Sequence, residues 1–295
     1  MSDKFFSLPV DEQVSPYISQ RRQGELAILV INHPKVQAAV ALQGAHLLAW
    51  QPTGERPVIW LSDNSLWQKG KAIRGGVPIC WPWFGPAGEP AHGFARNLDW
   101  SLSAHDENDD SVMLTLALES NEQTKKLWSH DFTLYARFRF SQHCEVELEA
   151  HGDYPSTGAL HSYFQVADIA GVTVSGLGQP YIDKVNNGSD GLSAEGKQTY
   201  PDRTDRIYTS PEDYSTIDDQ RGERVIEVYH HHHSDVVTWN PGPALSSSMS
   251  DMTASGYKTM VCVETAHISS PMISSGETPA RLGATFRLRK RNQKV

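Results

Sequence analysis

FTLYARFRF at residues 132–140 and CEVELEA at residues 144–150 are the stretches whose reading decides the fold. In the first, Phe132, Leu134, Ala136, Phe138 and Phe140 alternate with Thr133, Tyr135, Arg137 and Arg139. In the second, Cys144, Val146, Leu148 and Ala150 alternate with Glu145, Glu147 and Glu149. Successive side chains leave a pleated strand on opposite sides, so this period of two marks strands with one buried face. The pattern recurs at Val112, Leu114, Leu116 and Leu118, and again at Leu282, Ala284, Phe286 and Leu288 against Arg281, Thr285, Arg287 and Arg289. Such alternation suits antiparallel sheets. Helical signals are sparse; the best lies at residues 120–128, where Ser120 or Asn121 could cap a short helix. Strands do not alternate with long helices, which argues against a doubly wound fold. Turn-rich stretches at residues 105–110, 186–190 and 269–279 read as loops. The expectation is an all-β chain, with residues 1–295 forming a single antiparallel β-sandwich domain.

Composition narrows the function classes. The formal charge of -9 and pI near 5.8 argue against a nucleic-acid binder, which would carry a basic stripe. They leave room for a small anionic substrate, because a few arginines can dominate a pocket. The opening MSDKFFSLPVDEQ lacks the basic start and long apolar run of a signal peptide, and no later stretch is long enough to span a membrane. Cys80, Cys144 and Cys262 are odd in number and far apart, which suggests neither a disulfide framework nor a structural zinc site. A cytoplasmic chain is the expectation.

Three stretches carry chemistry. IRGGVPICWPWFGPAGEPAHGFARNLDW at residues 73–100 holds Arg74, a Gly-Gly pair, four prolines, three tryptophans, His92 and Arg96. Proline and glycine bar a long helix or a central strand here. The plain reading is a rigid, aromatic-packed loop across one end of a sandwich. The functional reading rests on two arginines and a histidine sharing a stiff aromatic scaffold: rings pack on sugar C–H faces, and guanidinium groups bind phosphate oxygens. In ALHSYF, His161 is bracketed by apolar and aromatic residues. In TMVCVE, Glu264 shares a strand face with Met260 and Cys262, so a carboxylate ends an otherwise buried row, and buried acids are rare unless paired or functional. The histidine run at residues 230–233 suggests metal by composition. Consecutive strand residues point opposite ways, however, so the four cannot converge on one ion, and an exposed strand or loop is expected. DRTDRIY at residues 202–208 reads on its own as solvated charge pairs, and Trp239 in WNPG as core or pocket wall.

Taken in order, RGGVPICWPWFGP, HGFARN, LHSYF, DRTDRIY, WNPG and VCVETAH resemble the hexose-6-phosphate mutarotases, or glucose-6-phosphate 1-epimerases, of the galactose-mutarotase-like superfamily. The likeness is close to the bacterial YeaD-type members and extends over nearly the whole chain. It implies a β-supersandwich with a sugar cleft on one concave face. It further implies that His161 and Glu264 are catalytic, and that Arg74, His92, Arg96 and Asp205 bind substrate. Some relatives carry glutamine before the second histidine, where this chain has Ala91.

Mutarotation removes a proton from the O1 hydroxyl and delivers one to the ring oxygen. The ring opens to the aldehyde, the C1–C2 bond rotates, and the ring closes on the other face with the roles reversed. The expected roles are Glu264 as base toward O1 and His161, protonated at that moment, as acid toward O5. Asp205 orients hydroxyls, His92 bonds near the reacting end, and Arg74 and Arg96 hold the 6-phosphate. No cofactor and no metal are required, and the expected partner is a sugar phosphate met by a monomer, with no nucleic acid or membrane involved. Competing readings are a free-sugar aldose 1-epimerase, a glycoside hydrolase using Asp205 and Glu264, and a non-catalytic carbohydrate-binding β-sandwich.

Overall fold

Alternation becomes sheet structure as expected. In the computed structural model, which describes residues 3–291, Thr133–Phe140 buries Leu134, Ala136, Phe138 and Phe140, and pairs antiparallel with Cys144–His151. These strands are the centre of an eight-stranded antiparallel sheet. Its order is Val172–Ser175, Tyr214–Asp219, Arg224–His231, Ala280–Lys290, Cys144–His151, Thr133–Phe140, Val112–Glu119, Ser101–Glu107. A second eight-stranded sheet runs Ser189–Leu192, Pro180–Asp183, Thr204–Tyr208, Asp235–Asn240, Met260–Ser274, Tyr154–Leu160, Ile79–Cys80, and Tyr163–Gln165 also pairs with Met260–Ser274. Five strands from Val10–Gln13 to His46–Pro52 form a third sheet. The fold is thus a many-stranded antiparallel β-sandwich, with three short α-helices among the described residues. None of these helices is long and apolar enough to cross a membrane.

The capped helix falls where the sequence places it. Asn121 accepts from the backbone N–H groups of Gln123 and Thr124 at the start of Glu122–Leu127, and Thr124 Oγ1 accepts from the Asn121 N–H. All three expected loops are shorter than read. The strands Ser101–Glu107, Ser189–Leu192 and Met260–Ser274 take residues 105–107, 189–190 and 269–274 from them. The outward face of CEVELEA also differs: Glu149 is buried, while Glu145 and Glu147 are not. Arg137, Arg281 and His151 close over it at 3.0, 2.8 and 2.7 Å. Burial opposes the Glu149 charge, but these three partners outweigh it and hold the carboxyl below its usual range.

The core between the large sheets decides what the other faces can do. Val261 and Val263 point into it with Leu160, Tyr208, Val236 and Ile79, and Phe164 meets Phe286 edge-on across the layers at 5.0 Å. The intervening residues of the same strands, Cys262, Glu264, Ala266, Ile207, Val237 and Ala159, therefore face the opposite way. That opposite face is the floor of the site. The histidine run divides by the same rule. His230 is buried between the hydroxyls of Ser215 and Thr265, at 2.9 and 2.8 Å, while His231 and His232 are exposed. The expected exposed stretch thus holds for His231 and His232 and fails for His230.

Candidate active site

Strand register lays out the floor in rows. Ile207, Val237 and Glu264 are cross-strand partners in one row. Asp205, Trp239, Cys262 and Tyr163 form the next. The Pro- and Gly-rich segment closes the cleft from above. Its strand Ile79–Cys80 pairs with Tyr154–Leu160, and the His161 N–H donates to the Pro78 carbonyl at 3.0 Å. The Tyr163 N–H donates to the Gly76 carbonyl at 2.9 Å, tying the loop that carries Arg74 to the segment that carries His161. Gly76 has φ +70°, and a Cβ there would lie 2.3 Å from the Leu47 carbonyl oxygen. Only glycine lets the loop come this close.

The resulting cleft is about 490 Å³. Arg74, Phe84, His92, His161, Lys184, Asp205, Trp239 and Glu264 are among its walls. Five of the six site residues expected from sequence are therefore gathered in one place. The sixth, Arg96, is not among the lining residues. Its Nη2 donates to the Ala91 carbonyl at 3.0 Å, and its Nε is buried without a hydrogen-bond partner. It acts on the site through its charge, which lowers the pKa of His92 and His161. Lys184 enters instead. Its backbone N–H donates to the Asp205 carbonyl at 2.8 Å. Nothing in its surface-turn sequence, YIDKVNN, singled it out.

His161 and Glu264 meet at the bottom, Nδ1 to Oε1 at 3.5 Å. The gap is too long for a good hydrogen bond, and His161 Nδ1 and Glu264 Oε2 are both buried without a hydrogen-bond partner. Burial, reinforced by the Asp205 charge, raises the Glu264 carboxyl well above the ordinary carboxylate range. Burial also lowers His161 well below the ordinary histidine range, with His92, Arg96 and Arg74 adding to the effect. The imidazole ring is held flat against Tyr163, centroids 4.8 Å apart and planes 10° apart. The Tyr163 hydroxyl in turn accepts from Arg74 Nη1 at 3.1 Å, and Arg74 grips Asp251 through Nε and Nη2, both at 3.0 Å. Arg74 thus has two jobs, a charge in the cleft wall and a clamp on the ring that orients His161.

His92 is fixed in one tautomer. Its Nδ1 accepts from the Gly85 N–H at 3.3 Å, which leaves the proton on Nε2. Burial, then the charges of Arg96 and Arg74, push its pKa down to about 4, so at neutral pH it is an uncharged hydrogen-bond donor. Its φ of 65° is unusual for a residue with a side chain. The ring packs edge-on to Phe84 at 4.9 Å and to His161 at 5.8 Å. Burial also raises the carboxyl of Asp205, against the charges of Arg203 and Lys184.

A buried imidazole and a buried carboxyl thus lie side by side at the floor of an aromatic-walled cleft, on a many-stranded antiparallel sandwich. Residues 27–278 match the family model described as aldose 1-epimerase, and the chain belongs to that family. It is 57% identical over 294 residues to a Salmonella typhimurium protein named "Putative glucose-6-phosphate 1-epimerase", covering 99% of this chain and 100% of that one. An Escherichia coli K12 protein of the same name is 56% identical over 294 residues, with the same coverage. A crystal structure described as a "putative mutarotase (YeaD)" from Salmonella typhimurium superposes with a TM-score of 0.97 at 57% identity, covering 98% of this chain and 99% of that one.

Proposed function

We propose that this chain is a cofactor-free hexose-6-phosphate mutarotase, acting on glucose 6-phosphate in the cytoplasm as a monomer whose residues 1–295 form one domain. The first two and last four residues of that span lie outside the described residues. One core cluster running from Ile18 to Phe286 supports the single domain. The observation that carries the function is the His161–Glu264 pair, 3.5 Å apart with an unpartnered atom on each side chain. O1 and O5 are bonded to the same sugar carbon, so a donor and an acceptor that are near neighbours reach both at once. The relatives' names, quoted above, supply the phosphorylated substrate. The test is exchange NMR at C1 of glucose 6-phosphate, galactose 6-phosphate, mannose 6-phosphate and free glucose, with and without the protein. Faster anomer exchange with no released product supports the mutarotase. Unchanged exchange would leave a binding module or a glycoside hydrolase, told apart by whether the protein releases sugar from an aryl glycoside.

Within this reading the starting position of the proton differs from the one expected from sequence. Glu264 raised and His161 lowered place the pair's single proton on the carboxyl. The Glu264 carboxyl then donates to O5 while neutral His161 takes the O1 proton, and ring closure on the other face runs both transfers backwards. The carboxylate–imidazolium arrangement expected from sequence is the state reached after ring opening. Neutral His92 donates a hydrogen bond near the reacting end, and Asp205 orients sugar hydroxyls.

The pH profile follows with a definite sign. Activity against the free enzyme falls as pH rises through the raised Glu264 value, because the proton to be delivered is lost. It falls on the acid side only well below the ordinary histidine range, when His161 takes a second proton. Measuring kcat/KM from pH 4 to 10 with free glucose, which has no titrating phosphate, checks this. An acid limb at the unperturbed histidine value of about 6.5 would contradict it.

The phosphate assignment rests on which cations reach the cleft. Arg74 and Lys184 line it and Arg96 does not. Lys184→Ala is expected to raise KM for glucose 6-phosphate by about tenfold, the ~1.4 kcal/mol of one charge-assisted contact, with free glucose changed less than about threefold. Arg96→Ala is expected to disturb both substrates alike, because its charge acts on His92 and His161. A phosphate-selective loss in Arg96→Ala alone would return the phosphate to that residue.

A further inference from the structure

Cys262 lies on the same sheet face as Glu264, two residues along the strand Met260–Ser274. Its Sγ, a carboxylate oxygen of Glu264 and a ring nitrogen of His161 all lie within 4.8 Å of one another. Two atoms of these side chains, His161 Nδ1 and Glu264 Oε2, are buried with no hydrogen-bond partner, a state that costs about 1–3 kcal/mol per group. A sugar hydroxyl satisfies them during turnover. The sulfur has no part in that reaction.

We propose that His161, Cys262 and Glu264 form a zinc-binding site, and that a Zn²⁺ ion seated there excludes the sugar. The exclusion rests on the catalytic reading above; the binding does not. Thiolate, imidazole and carboxylate are zinc's usual donors, and three protein ligands with a fourth position open to a cleft is a known coordination pattern for this ion. The thiolate selects against magnesium and calcium, which prefer oxygen. Metal–ligand distances near 2.0–2.3 Å put tetrahedral donors about 3–4 Å apart. His161 and Glu264 already meet that spacing, at 3.5 Å, so at most about 1–2 Å of closure remains for the sulfur. Charge also balances: one thiolate and one carboxylate, costly alone in a dry site, match the two positive charges of the ion. On binding, the Cys262 thiol gives up its proton and the one proton of the His161–Glu264 pair leaves with it. Two protons pass to the buffer per ion, and no electrons move. Burial holds the Cys262 thiol well above its usual range, so thiolate forms there only with the metal's help.

The test uses the full chain carrying His231→Ala and His232→Ala, which removes the exposed pair of the histidine run as a competing site. Titration calorimetry with Zn²⁺ in buffers of different ionisation enthalpy is expected to show one ion bound and two protons released per chain. Cys262→Ala is expected to weaken zinc at least about 100-fold, and to abolish the inhibition of sugar-phosphate turnover by added zinc relative to the same variant in chelator. Cys262→Ser, closer in volume, serves if the alanine variant does not fold. With Co²⁺ in place of Zn²⁺, a thiolate-to-metal charge-transfer band is expected, and it should vanish in the Cys262 variant. Zinc affinity indifferent to Cys262, or cobalt bound without that band, overturns the site. Zinc bound through Cys262 with undiminished anomerisation would support the site and remove the catalytic assignment instead.

Discussion

Glu264→Gln is expected to slow anomer exchange of glucose 6-phosphate by about 10²–10⁴-fold, the usual worth of a positioned general acid or base, and at the same time to stabilise the fold. Both effects come from the same surroundings. Glu264 is buried, one of its oxygens has no hydrogen-bond partner, and Asp205 adds a like charge. A carboxyl raised in the folded state contributes its full stability below its unfolded value, near pH 4.5, and loses it as pH rises through the folded value. Glutamine does not titrate, so it avoids that loss. The variant should match the parent near pH 4 and gain about 1–3 kcal/mol by pH 8, worth about 2–4 °C per kcal/mol in a chain of this size. Thermal unfolding at pH 4, 6 and 8 beside exchange NMR reads both. A variant both inactive and less stable at pH 8 would show that Glu264 is a structural carboxylate with partners the cleft does not reveal.

His161→Ala is expected to cost a similar 10²–10⁴-fold in kcat, and the double variant with Glu264→Gln little more than the worse single one. Groups that pass one proton between them act as a unit, so their losses do not add. Losses that multiply in the double variant would mean the two act on separate steps. The ring's position is set by the stack on Tyr163 and the Arg74 clamp behind it. Tyr163 stays packed between Trp60 and Trp239 when the imidazole goes, so the fold should survive the change.

The period-two runs determined the strands, because inward and outward positions differ in hydropathy wherever one face is buried and the other wet. They also marked Glu264, an acid in step with Met260 and Cys262. The ordered motifs marked His161, Arg74, His92 and Asp205, all of which line one cleft. Alternation says that two sets of residues face opposite ways, not what each face meets. In CEVELEA it could not show that Glu149 is covered by Arg137, Arg281 and His151. In DRTDRIY it could not separate a cleft-lining Asp205 from a solvated charge. Only the tertiary structure brought Lys184 into the cleft and kept Arg96 out of its lining, since both depend on where loops from distant strands come to rest. The opposite pKa directions of Glu264 and His161 likewise come from burial, because desolvation is a property of the finished packing and no residue carries it in its own name.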